Sequence, residues 1–147
     1  MNNEKEIWST RPTLELANAF SEQTLPTHLG IEFLEIGDDF IRARMPVDER
    51  TRQPLGMLHG GASATLAETL GSLGGAFCVD VEKKYVVGLE LNCNHVRAMR
   101  EGFVYGTARP IHLGGLTQIW DIRIVDEREK LVCIARLTLA VLDQVGS

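Results

Sequence analysis

Between Gln53 and Val79 the sequence carries a single formally charged side chain, Glu68, in a stretch of 27 residues. A carboxylate isolated among apolar and small residues suits attack on an acyl carbon or proton abstraction from water. Burying an unpaired charge is costly, and a chain seldom keeps such a group without a use. Eight residues upstream stands Gly60, within His59-Gly60-Gly61. Glycines at a helix start leave backbone N–H groups open at the positive end of the dipole, which suits an anion or a developing oxyanion. One turn beyond Glu68, Ser72 is placed to hydrogen-bond a substrate substituent. Structural alternatives stand beside each reading: a solvated glutamate, an ordinary glycine entry turn, and a helix serine bonded back to its own backbone. Against the first, the positions three and four residues from Glu68 are Ala64, Thr65, Gly71 and Ser72, without the charges of a solvated face.

The element carrying these groups is a helix over residues 61–78. Leu66, Leu70, Leu73 and Phe77 repeat at offsets of four, three and four. Glu68 falls roughly 160–200° from them and faces away from whatever they cover. That second face, with Gly75 added, is small and uncharged, which predicts a partner subunit against it. Gly60 and Glu68 are about 12 Å apart along one helix. To act on one carbonyl they must come from two chains with antiparallel helices, so a homodimer with shared sites follows.

Around that helix the chain reads as one domain over 1–147. A polar lead over 1–12 precedes a short helix in which Thr13 is a candidate N-cap and Leu16 and Phe20 lie four apart. IEFLEI, GDD and FIRARMPV predict a β-hairpin, and residues 48–58 a loop. Tyr85 to Val96 alternates, with Tyr85, Val87, Leu89, Leu91 and Cys93 on one face. Further strands are expected over 103–108, 116–125 and 131–142, the four in series forming a meander. The class is α+β: a six-stranded antiparallel sheet wrapped around one long helix.

Composition narrows the function. The chain has 147 residues, 44% of them hydrophobic and 24% charged, which is globular. Its net charge of −5 argues against nucleic acid or an anionic membrane as partner. The longest stretch without Asp, Glu, Lys or Arg, from Gln53 to Ala67, is too short and too broken by glycine and proline to span a bilayer. No signal or transit segment is visible, so a cytoplasmic protein is expected. Cys78, Cys93 and Cys133 lack CxxC spacing, and the four histidines lack HExxH spacing, so no disulfide framework and no metal are expected.

The segments MPVDERTRQPLGMLHGGASATLAETLGS, VVGLELNCNHVRAMREG, PIHLGG and RLTLAVL together resemble the hotdog-fold thioesterases of the phenylacetyl-CoA type. Within that group they are similar to the menaquinone-pathway dihydroxynaphthoyl-CoA hydrolases and the enterobactin proofreading thioesterases. The match runs from about Thr13 to Leu142. The resemblance implies hydrolysis of an acyl-CoA thioester by a dimer, usually a dimer of dimers, with no cofactor beyond the CoA of the substrate. By position it implies Glu68 as the catalytic carboxylate and Gly60 as the N–H donor to the carbonyl. Gln53 and His59 would flank the carbonyl and the attacking water, and Ser72 would lie near the acyl ring. Gly88, His95, Val96, Arg97 and Ala98, with His112, Leu113, Gly114, Gly115, Leu116 and Thr117, would form the CoA-binding surface. Arg97 and Arg100 with His95 then supply a basic patch for the phosphates; without the resemblance they read as a solvated strand end. Relatives often carry a basic or polar pair where Gly115-Leu116 stands, and residues before His28 say little about specificity. A weak carboxylate base at neutral pH favours direct attack and a short-lived anhydride, while desolvation would favour a general base. A carrier-protein thioester as substrate, a binding-only acyl-CoA sensor and a dehydratase are the alternatives. Acyl preference, expected to be aromatic, is left open.

Overall fold

The chain was analysed as a computed structural model that describes residues 5–146; residues 1–4 of the polar lead, and Ser147, lie outside the described residues. Thr13 caps the first helix as expected. Its Oγ1 accepts the N–H of Leu16 at 3.1 Å and starts α1 (Leu14–Ser21). A four-residue helix α2 (Leu25–His28) follows, with Pro26 in its first turn, where its missing N–H costs nothing. The predicted hairpin is β1 (Glu32–Ile36) paired antiparallel with β2 (Ile41–Pro46). Loop 48–58 delivers the chain to the long helix α3 (Gly60–Phe77). Then come β3 (Lys84–His95), β4 (Phe103–Leu113), β5 (Thr117–Val125) and β6 (Leu131–Asp143).

The six strands form one antiparallel sheet in the order β1-β2-β4-β5-β6-β3, and α3 packs against β2 through β6. The α+β class and the wrapped helix stand as predicted. The meander does not. β4, β5 and β6 follow one another, but β3 crosses to the far side of β6 and becomes an edge, while β4 pairs with β2. Helix α3 leaves the sheet between β2 and β3, so those two strands fall on opposite flanks of it. β4 also runs five residues past the expected Ala108, because Pro110 sits at a register shift where a missing donor is tolerated.

The expected single face of β3 is also corrected. Gly88 pairs with Leu139 and Glu90 with Thr138, so Leu89 is an extra residue, a β-bulge that reverses the alternation. Tyr85, Val87 and Leu89 are exposed at 38%, 41% and 62%, whereas Val86, Leu91 and Cys93 pack on the core.

Two packing details of α3 differ from expectation. Leu66, Leu70 and Phe77 are buried as predicted, but Leu73 is only half-buried. Gly71 and Gly75, read from sequence as part of a face for a partner, instead lie under Leu137 and Leu139, and Gly74 lies under Trp120. Large strand side chains press on the helix there, and any Cβ would displace them. A buried chain of hydrogen bonds fixes the contact: Trp120 Nε1 donates to Gln118 Oε1 at 3.0 Å, and Gln118 Nε2 donates to the Gly75 carbonyl at 3.3 Å. In α1 the buried residues are Ala17 and Ser21, not Leu16 and Phe20, which are 43% and 65% exposed. The polar lead also contains an anchor. Trp8 is buried and its Nε1 donates to the Gly37 carbonyl at 2.8 Å, while the Ser9 N–H bonds the Phe77 carbonyl at 2.9 Å. Among the described residues no helix is long and apolar enough to cross a membrane.

Candidate active site

Glu68 sits mid-helix on the flank of α3 that looks toward the bulge of β3. A Cβ built on Gly88 would collide with its Oε1, so only a glycine lets the carboxylate lie against that strand. The expectation that Glu68 faces away from the sheet is corrected to this extent: it faces the sheet's edge. Burial pushes its pKa above the ordinary glutamate value, with no cation or donor group among the described residues pulling it down. The same carboxylate lines a cleft of about 360 Å³ with Ser72 and Leu73 of α3 and with Phe20, Thr24 and Pro26. Ser72 therefore shares the cleft with Glu68, as its spacing predicts. It is Thr65 that bonds back to the helix, its Oγ1 donating to the Gly61 carbonyl at 2.9 Å. Phe20 meets Phe77 edge-on, with ring centroids 6.3 Å apart.

The start of α3 is built differently. His59 is the N-cap, with φ −70° and ψ 130°, and its Nδ1 accepts the Gly61 N–H at 2.8 Å. The N–H groups of Ala62 and Ser63 bond the His59 carbonyl. This leaves the Gly60 N–H as the one without a partner among the described residues, at the positive end of an 18-residue helix. Gly60 lies under the ring of His95, whose Nε2 would stand 2.9 Å from a Cβ built there. Gln53, in the preceding loop, turns its Oε1 to the Leu55 N–H, so its side chain is held by its own turn with the amide nitrogen free to donate. Arg100 and Arg52 hold that loop: Arg100 Nη1 donates to the Leu55 carbonyl at 3.1 Å and Arg52 Nε to the Arg100 carbonyl at 2.9 Å.

The residues expected at a CoA surface fall in two places. Thr117 pairs with Ala140 of β6, whose other neighbour is Val87, so the turn from His112 to Thr117 and Gly88 share one end of the sheet. His95, Val96, Arg97 and Ala98 lie at the other end of β3, some 23 Å along the strand. The expected basic trio is not assembled. Arg100 is committed to the loop, His95 covers Gly60, and Arg97 lines a separate cleft with Arg128, Lys130, Asp126 and Glu127.

Two groups of residues escaped the sequence reading. Phe20, Ser21, Thr24 and Pro26 line the Glu68 cleft although they belong to the segment set aside as uninformative. The signal was an aromatic on a short helix too small to bury it. Cys93, His95 and Cys133 bring their ligand atoms within 4.8 Å of one another, a juxtaposition made across strands and invisible to motif spacing along the chain.

Residues 55–133 match the family model described as the thioesterase superfamily. The chain is 53% identical over 136 residues to the 1,4-dihydroxy-2-naphthoyl-CoA hydrolase of Escherichia coli, covering 92% of this chain and 99% of that one. It is 50% identical over 136 residues to the proofreading thioesterase EntH of Cronobacter turicensis, covering 92% and 98%. A crystal structure of a mutant thioesterase from Pseudomonas aeruginosa superposes with a TM-score of 0.93 at 48% identity, covering 94% of this chain and 99% of that one.

Proposed function

Given that the chain belongs to the thioesterase superfamily and is a thioester hydrolase, we propose that it cleaves aromatic acyl-CoA thioesters to the free acid and CoA, with Glu68 as general base and the Gly60 N–H as oxyanion donor. The observation that carries this reading is the state of Glu68: half-buried, without a counter-ion, and opening into a cleft that also presents Phe20 and Ser72.

Burial raises the pKa of this carboxylate, which improves it as a base. Glu68 takes a proton from water as the water oxygen adds to the thioester carbon. The carbonyl oxygen gains the negative charge and is held by Gly60 N–H, with Gln53 Nε2 as a second donor. Collapse breaks the carbon–sulfur bond, and the departing thiolate recovers the proton from Glu68. His59 keeps the helix start in place through Gly61. No cofactor or metal enters these steps.

Glu68 and Gly60 of one chain face different ends of β3, so the reaction is assigned to a dimer in which each site takes one group from each subunit. The exposed row Tyr85, Val87 and Leu89 on an edge strand supports this, since such an edge favours a second copy. The assembly proposed is a dimer of dimers. Gly88 with the turn from His112 to Thr117, and His95 to Ala98, are assigned to CoA, the two groups serving one substrate from opposite subunits. The likeness to the naphthoyl-CoA hydrolase favours a bicyclic aromatic acyl group and a place in menaquinone biosynthesis.

A thiol-release assay over aromatic and aliphatic CoA esters and carrier-protein thioesters tests the assignment. Fastest turnover on aromatic CoA esters is expected; binding without thiol release would overturn it. Single-turnover hydrolysis in heavy-oxygen water should place label only in the released acid. Label in Glu68 would instead establish direct attack through an anhydride.

A further inference from the structure

The β3–β6 ladder sets His95 opposite Cys133 and Cys93 opposite Ala135, so Cys93 and His95 point to the inner face two residues apart with Cys133 across from them. Their ligand atoms lie within 4.8 Å of one another. A tetrahedral zinc ion with sulfur at about 2.3 Å and nitrogen at about 2.0 Å needs ligand atoms about 3.5–3.8 Å apart. Binding would draw the ligand atoms together by at most about 1.3 Å.

We propose that Cys93, His95 and Cys133 form a binding site for a thiophilic cation, Zn²⁺ first among them, and that loading it inhibits hydrolysis. The donor set, two thiols and one imidazole, selects soft or borderline ions over Mg²⁺ or Ca²⁺. Three protein ligands leave a fourth position for water, and His95 is exposed, which gives the ion a path of entry. Burial raises the Cys93 thiol most, against a hydrogen bond with Cys133 that lowers it, and the nearby Glu68 and Glu90 raise it further, a negative field that favours a cation. Burial pushes Cys133 to about 12, so both thiols stay protonated at neutral pH unless an ion binds thiolate strongly enough to release two protons to solvent. Inhibition follows from position, and this half rests on the role given to Gly60 above. The His95 ring lies over Gly60, so an ion that recruits it rearranges the ground on which the carbonyl oxygen must sit.

The test uses the full chain treated with chelator and titrated with Co²⁺ as a spectroscopic probe. One Co²⁺ per chain is expected, with a thiolate charge-transfer band in the near ultraviolet that Zn²⁺ abolishes. Cys93→Ser and Cys133→Ser should each lose the band and weaken Zn²⁺ at least about a hundredfold, while Cys78→Ser retains both. In the unmutated chain Zn²⁺ should slow alkylation of Cys93 and leave Cys78 unaffected, a readout independent of whether a variant folds. Absence of stoichiometric binding at tens of micromolar Co²⁺, a band that survives Cys93→Ser, or unprotected Cys93 would overturn the site. Stoichiometric binding with undiminished thiol release would overturn the inhibition. A metal-free chain that hydrolyses no acyl-CoA would instead count against the proposed function, and leave the cobalt band unchanged.

Discussion

The two ends of the first half of α3 solve opposite problems. Around Gly60 nearly every polar group is committed: His59 caps Gly61, Gln53 closes its own turn, and Arg52 and Arg100 stitch the approaching loop to the connection between β3 and β4. What is left over is one N–H, which in the proposed reaction would meet developing charge without reorganisation. Two turns on, the Glu68 cleft has the reverse make-up, with apolar and hydroxyl walls and a charge that nothing neutralises. The helix start offers a fixed dipole, whereas in the proposed reaction the middle offers a group that must gain and lose a proton. A fixed dipole is best built from backbone held by many bonds, and a titrating group from a side chain held by few.

The largest effect should come from the middle. Glu68→Ala is expected to lower kcat at least about a thousandfold with the fold intact, as read by steady-state thiol release beside circular dichroism. Turnover near that of the unmutated enzyme would break the contrast. At the helix start the backbone itself can be edited. His59 is already extended, as a residue before proline must be, and proline suits the first helical position. Gly60→Pro should therefore keep the helix while removing the N–H, and Gly60→Ala keeps the N–H while displacing the same His95 ring. The expected kcat of the proline variant is about a hundredfold below that of the alanine variant. Equal rates would remove Gly60 from the oxyanion role. Mixing Glu68→Ala with Gly60→Pro subunits should restore about a quarter of the activity if each site draws on two chains, since half the random dimers regain one of two sites. No recovery after subunit exchange would confine the site to one chain.

Smaller effects sharpen the contrast through protonation and packing. Because the folded pKa of Glu68 is raised, the native state binds more protons than the unfolded chain between the ordinary glutamate value and the raised one. Stability from this group is present at low pH and lost as pH climbs through that window. Glu68→Gln should then match or exceed the unmutated protein in Tm at pH 7 and lose that advantage at pH 4. The acid limb of kcat against pH should fall at a pH above the ordinary glutamate value. Phe20→Ala, at an exposed position, should raise KM for aromatic esters about three- to tenfold with little change in kcat or Tm.

The sequence reading reached the elements and the groups but not their mutual placement. Glu68, Gly60 and Ser72 were identifiable because charge and glycine usage along α3 are so uneven, and the likeness to thioesterases agrees with the superfamily match. Strand order was out of reach, since nothing in the hydropathy of residues 84–95 says which neighbour they pair with. Gly71 and Gly75 misled because small residues look alike whether they admit a partner or the chain's own Leu137 and Leu139. The four-residue spacing of Leu16 and Phe20 marked α1 as a helix but not which side it buries: Ala17 and Ser21 are buried, and Phe20 lines the cleft.

The extra residue at Leu89 has a genetic corollary. Val86 and Gly88 before it, and Leu91, Cys93 and His95 after it, point inward only because the strand counts one position too many. An in-frame deletion of that codon would remove the bulge and leave a regular ladder with both sets still facing inward, whereas a deletion elsewhere in β3 that keeps the bulge would turn one set outward, stripping either the carboxylate or the helix start of its neighbour. Position 89 should therefore tolerate loss of its residue better than its neighbours do, and a scan of single-residue deletions along the gene should show its mildest effect within β3 there.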